Sequence, residues 1–263
     1  MIEWHVWALT GTAAVMAGVL NAVAGGGSFL TLPALIWAGL PPVVANATSA
    51  VAVSPGYMGS AWGYREELKA IARTGLRRDV IISFVAGIAG AGLLLATPER
   101  LFTFAIPWLL LFATLLFAMA PSLTRWAREQ ASHPHLDSFQ QSTPTPGWRT
   151  IGLGLVGIYG GYFNGGLGIL LMTLYAVGGE ARIQVANALK NLHSLVLSVG
   201  SVVTFIMAGA VDAPFALWMM LCATLGGYFG ARWARRMSGS RVRSIVIATG
   251  AIMTILFFVR TSS

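Results

Sequence analysis

The sequence predicts an all-α, polytopic integral membrane protein made of two homologous halves. Three observations predict this. Of 263 residues, 56% are hydrophobic and only 10% charged, where soluble domains carry about 25% charged residues. Apolar runs recur at helical length, not as the ~10-residue alternating stretches of a β-barrel, and mean hydropathy is +0.72. Motifs of the first half return in order in the second.

The first apolar run, 4–24, starts beside Glu3 and His5 without a basic leader. It is expected to persist as a helix and not to be cleaved as a signal peptide. Runs follow at about 28–39, 43–62, 80–96 and 101–120. A polar stretch at 124–149, with Arg125, Arg128, Glu129, Asp137 and several Gln, Ser, Thr and Pro, reads as a cytoplasmic linker. It separates a first transmembrane repeat, 1–123, from a second, 150–263. The second half has runs near 150–164, 167–178, 183–208, 213–234 and 243–260.

The runs at 28–39 and 167–178 are too short for a straight span, which needs ~20 residues. Each follows a glycine cluster, Gly25-Gly26-Gly27 or Gly165-Gly166-Leu167-Gly168. Broken or re-entrant helices are expected there, giving about 8–10 membrane segments in all.

The halves align at a constant offset of 141 residues: Gly25 with Gly166, Gly27 with Gly168, and Ala45-Asn46-Ala47 with Ala186-Asn187-Ala188. One residue out of that register, Gly87-x-x-Gly90-Ala91 matches Gly227-x-x-Gly230-Ala231. The loop 63–79 carries Arg65, Lys69, Arg73, Arg77 and Arg78, and its counterpart near 209–213 carries no basic residue. The loop near 97–100 has only Arg100, and its counterpart has Arg235, Arg236, Arg241 and Arg243. Equivalent loops with opposite bias belong on opposite sides of the membrane. This predicts an inverted repeat, whose binding site lies near the midplane at the repeat interface. A parallel arrangement is the alternative if the short runs do not cross.

The net charge of +8 comes from arginines clustered in two loops and the linker. That is a membrane-orientation signal, and no nucleic-acid partner is expected. The single Cys222 sits in an apolar run, so neither a disulfide nor a cysteine metal site is expected. The nine carboxylates read as lying at run ends or in loops, whereas a cation or metal permease needs Asp, Glu, Cys or paired His within its spans. No metal and no cofactor are expected.

Lys190 is the residue that points to chemistry. It is one of two lysines and lies inside the apolar run at 185–200. A charge at the bilayer centre costs about 2.5–3.5 kcal/mol on insertion scales. Without an acid in its run to neutralise it, its counter-ion is read as a small anionic substrate. Asn187, Lys190, Asn191, Ser194, Ser198 and Ser201 share one helix face. Lys190 offers three donors, and Asn187 and Asn191 add amide donors. The plainer alternative is that Lys190 snorkels to the interface.

Gly25, Gly26, Gly27 and Ser28 lead into one short helix, and Asn164, Gly165, Gly166 and Gly168 into the other. Glycines let backbone N–H groups converge on an anion at a positive helix end; close helix packing is the competing explanation. Asn46 and Ser49 are the first-half counterparts of Asn187 and Lys190 and read as further donors or as interhelical glue. His193 is the proton-coupling candidate, with H+ as the coupling ion, against a neutral histidine satisfied by a carbonyl. Catalysis is not expected. His193 and Ser194 are adjacent, so their side chains diverge on a helix, and nothing in the sequence brings Ser28 near a base. Trp4, Trp7, Trp62, Tyr64, Trp126, Trp148 and Trp233 stand near run ends, as lipid-interface anchors do.

Several stretches together resemble the TauE/SafE family of sulfite-exporter-like permeases. They are Gly18-Val-Leu-Asn-Ala-Val-Ala-Gly-Gly-Gly-Ser28, Ala45-Asn-Ala-Thr48, Ala61-Trp-Gly-Tyr-Arg65, Gly160-Gly-Tyr-Phe-Asn-Gly-Gly-Leu-Gly168 and Ala186-Asn-Ala-Leu-Lys-Asn191. Tyr162 after Gly160-Gly161 departs from a plain glycine-rich pattern. The resemblance implies a multi-pass carrier of the bacterial inner membrane, driven by an ion gradient, for sulfite, sulfonates or related organic anions. A non-transporting accessory or assembly subunit is the alternative. The sequence leaves the anion, the direction of transport and the oligomeric state open, a homo-oligomer included.

Overall fold

The computed structural model describes residues 4–24, 27–69, 71, 73–131, 147–178, 180, 182–234 and 239–262. The described residues form helices α1 (Trp4–Ala24), α2 (Ser28–Trp37), α3 (Pro42–Gly63), α4 (Arg65–Lys69), α5 (Arg73–Ala96), α6 (Glu99–Ala131), α7 (Gly147–Tyr162), α8 (Leu167–Val177), α9 (Ile183–Met207), α10 (Ala213–Ala234) and α11 (Gly239–Ser262). The ten expected runs each become a helix. The short amphipathic turn α4 is additional. The polar stretch at 124–149 is helical up to Ala131 and again from Gly147.

Apolar side chains cover the outside. Val85, Leu101, Phe104, Leu155, Leu217, Leu221 and Ile255 are each more than half exposed, as lipid-facing positions require. The segments Gly75–Ala96, Glu99–Leu123 and Gln184–Met207 are long and apolar enough to cross a bilayer. By contrast α2 and α8 have 10 and 11 residues. A helix of that length rises only ~15 Å, about half the hydrocarbon core. Both short helices lie inside the protein, and α2 is buried from Ser28 to Ile36.

The packing repeats between halves. α1 lies against α10 as α7 lies against α5; α3 meets α10 as α9 meets α5; α2 meets α11 as α8 meets α6. α3 and α9 pack on each other, as do α6 and α11. The first helix of each half is therefore seated against the other half. These crossings are built from glycine. A Cβ at Gly18 would collide with the Ala223 carbonyl, and one at Gly226 with the Val15 carbonyl. In the α5–α7 crossing, Gly90 faces the Ile158 carbonyl and Gly161 the Gly87 carbonyl just as closely. Backbones approach this tightly in membranes because dispersion and close packing replace the hydrophobic effect there.

Candidate functional site

α3 and α9 form the centre of the site, and the two short helices start beside them. α7 ends at Tyr162, leaving a carbonyl with no helical partner. The Asn46 amide donates to it at 2.9 Å. The chain then turns through Asn164 (φ +65°) and Gly166 (φ +75°) before α8 begins. Tyr57 of α3 donates to Asn164 Oδ1 at 3.1 Å, and Tyr159 donates to the Gly165 carbonyl at 2.5 Å. Left-handed backbone is uncommon for a side-chain-bearing residue, and Asn is among the few that adopt it readily. The Tyr57 bond holds that conformation.

The opposite break is held by the same helix. Thr31 of α2 bonds the Gly27 carbonyl at 3.3 Å and shares a 2.6 Å hydroxyl bond with Ser49. Gly27 caps α2, and a Cβ there would press on the Ala17 carbonyl at 3.1 Å and on Val53 at 3.3 Å. Gly25 and Gly26 lie outside the described residues. Thr48 accepts the Asp212 amide at 3.0 Å at the start of α10. About one turn of α3, Asn46 to Ser49, thus ties down three separate chain reversals.

The polar face of α9 points inward. Asn191, Ser194, Ser198 and Ser201 are buried, and Asn187 and Lys190 are half-buried. Ser201 donates to the Ser198 carbonyl at 3.1 Å. Among the described residues, no carboxylate forms an ion pair with Lys190. Asn46, Ser49 and Asn164 have partners within the protein, so Lys190 differs from them.

Sequence reasoning missed a second buried cluster. In the sequence, Asp79 ends the basic loop 63–79 and Arg149 ends the polar stretch 124–149. They lie instead inside α5 and α7 and form a 3.0 Å ion pair, both about 5% exposed. The bilayer cannot solvate either charge alone, so each neutralises the other. The Arg149 guanidinium stands 5.4 Å from the centre of the Tyr175 ring, and that ring is 5.9 Å from the His193 ring. His193 is fully buried, and its Nδ1 bonds the Ser83 hydroxyl at 2.8 Å, so its partner is a hydroxyl and not a carbonyl. His193 Nε2 and the Tyr175 hydroxyl are buried and bond nothing among the described residues. Neither Asp79 nor Arg149 has a charged counterpart in the other half, so the repeat gave no signal for them.

The sulfite exporter TauE/SafE family profile matches residues 10–257. The chain belongs to that family. The TauE/SafE assignment spans both halves, both short helices and every site residue named above. Curated relatives agree over nearly the whole length. The "Probable membrane transporter protein YfcA" of Escherichia coli K12 is 25% identical over 241 residues, covering 92% of this chain and 85% of the relative. The "Probable membrane transporter protein ORF9" of Sinorhizobium sp is 26% identical over 261 residues, covering 97% and 93%. A "Probable membrane transporter protein" of Haemophilus influenzae is 26% identical over 246 residues, covering 91% and 89%. No solved structure matches. The TauE/SafE protein described here is accordingly a membrane transporter, and its relatives carry transporter names, not enzyme names.

Proposed function

We propose that this transporter is a secondary carrier of a small anion: sulfite, an organosulfonate or a related organic acid. One observation carries the reading. Among the described residues, Arg149 is paired with the Asp79 carboxylate, and Lys190 forms no ion pair. Lys190 is then the side chain left to charge-balance a cargo. Asn187 and Asn191 flank it, and the backbones at the starts of α2 and α8 supply further donors. In this reading the halves are inverted in the bilayer of a bacterial inner membrane. The short helices are re-entrant, and His193 takes part in proton coupling.

The test is thermal stabilisation of the purified protein by sulfite, sulfate, thiosulfate and short sulfonates or carboxylates, in wild type and Lys190→Ala. A ligand at one hundred times its dissociation constant stabilises by about 2.7 kcal/mol. We expect one anion class to raise the wild-type melting temperature and to leave Lys190→Ala, melting normally without ligand, unmoved. Equal stabilisation of both proteins, or of neither, would remove Lys190 from the binding site.

A further inference from the structure

The two halves share one packing plan but do not adopt it equally. α5 and α9 are closed on each other. A Cβ at Gly200 would stand 2.6 Å from the Phe84 carbonyl and 3.3 Å from Ile88. Gly87 lies directly under the Leu197 carbonyl, and Ser83 bonds His193. The corresponding seam joins α3 and α10. There, by the sequence repeat, Gly59 stands for Gly200, Tyr228 for Ile88, Ala52 for His193 and Ala223 for Ser83. Among the described residues, and apart from its own stretch of helix, nothing lies within 4 Å of a Cβ built at Gly59. Instead a cavity of about 420 Å³ opens between α1, α3 and α10, lined by Asn21, Ala52, Gly56, Gly59, Thr224 and Tyr228.

Pro55 of α3 lines the cavity and removes the N–H that would bond the Val51 carbonyl; the Ser54 hydroxyl takes that carbonyl at 2.9 Å. The helix ladder is thus one bond short at the cavity wall. Asn21 and Val53 line the cavity, and a Cβ at Gly27, at the start of α2, would stand 3.4 Å and 3.3 Å from them.

We propose that the α3–α10 cavity is the open access path of this transporter, and that the α5–α9 seam, latched by Ser83 and His193, is the matching closed path. Transport exchanges them. In the opposite state Gly59 closes onto Thr224 and Tyr228, as Gly200 now does on Phe84 and Ile88, and the Ser83–His193 bond breaks. Two equivalent seams, one closed and one open, are what an alternating-access cycle requires of a repeated structure. The lining is uncharged and mostly apolar, with the Asn21 amide and the Ser60, Thr224 and Tyr228 hydroxyls set into it. The cargo rests on the anion-carrier reading; the motion rests only on the inverted arrangement proposed with it.

The test separates the two. In a Cys222→Ser background, the disulfide yield of Gly59→Cys with Tyr228→Cys reports the closing of α3 on α10, rising as the two Cβ atoms come within about 4.5 Å. We expect a low yield under mild oxidation in membranes. Adding Ser83→Ala should raise it about fivefold, the effect of losing one latch hydrogen bond. A Ser83→Cys/His193→Cys disulfide should do the reverse: it should hold the present state and keep a cysteine at Ser60 reactive to a membrane-impermeant maleimide from one side. The proposal is overturned if Ser83→Ala leaves the yield unchanged, or if the locked protein shields position 60. These outcomes need no transported ligand. Sulfite flux is read in parallel. If the seams respond as expected but sulfite and the anions above are neither moved nor bound, the anion reading fails and the access path stands.

Discussion

Removing one member of the Asp79–Arg149 pair is the sharpest perturbation the fold offers. Arg149→Ala would strand the Asp79 carboxylate in a site where both side chains are 6% exposed. Breaking a buried pair from one side costs about 3–5 kcal/mol. The lost stacking of Arg149 on Tyr175 adds about 0.5–2 kcal/mol. At about 2–4 °C per kcal/mol for a chain of this size, the melting temperature should fall by on the order of 10 °C or more. Replacing both residues, Asp79→Leu with Arg149→Met, should recover most of that loss, since no unpaired charge remains. The single buried Cys222 supplies the assay: a thiol-reactive fluorophore reports its exposure during a thermal ramp in detergent. The double-mutant cycle isolates the coupling. If the double variant melts as low as the two single losses added together, the pair is not a unit and the reasoning is wrong.

Other expectations follow from the same geometry. Asn46→Ala should destabilise by about 1–3 kcal/mol, because the Tyr162 carbonyl loses its donor; a variant within 0.5 kcal/mol of wild type in detergent unfolding would contradict this. Gly18→Val should fail to accumulate or melt far lower, since even a Cβ collides with the Ala223 backbone. The control is Gly92→Ala, on the same kind of helix but with no atom within 4 Å of its Cβ, which should stabilise by about 0.5–1 kcal/mol. Tyr57→Phe should loosen the α7–α8 break by freeing Asn164, read as faster amide exchange at 164–168 and little change in global melting.

Helix identity was legible because membrane helices announce themselves by length and apolarity. The starts of α2 and α8 could be placed at Ser28 and Leu167 because glycine runs interrupt otherwise continuous apolar sequence. The inward face of α9 followed from spacing alone. What stayed hidden was partnership. Asp79 and Arg149 stand near the ends of their apolar runs, where a charge is ordinarily solvated, and only the packing of α5 on α7 buries them together. Asn46 and Ser49 read equally as ligand donors and as interhelical glue because amides and hydroxyls serve ligands and backbones alike. Their partners, the Tyr162 carbonyl and Thr31, come from chain reversals no spacing rule places beside them. The unequal seams were illegible for another reason: Gly59 and Gly200 are the same residue at equivalent positions, and only their surroundings differ.

The exchange of first helices, α1 against α10 and α7 against α5, means that neither half is a finished object. A half made alone would present Gly18 or Gly161 with no backbone to meet it. It could complete itself only with a second copy, much as a domain-swapped dimer does. Under the inverted arrangement proposed above, those two copies would have to enter the bilayer in opposite directions. A single-half forerunner of this chain would therefore have been a protein of undecided orientation, and fusing two copies through the segment after Ala131 would have fixed one of each.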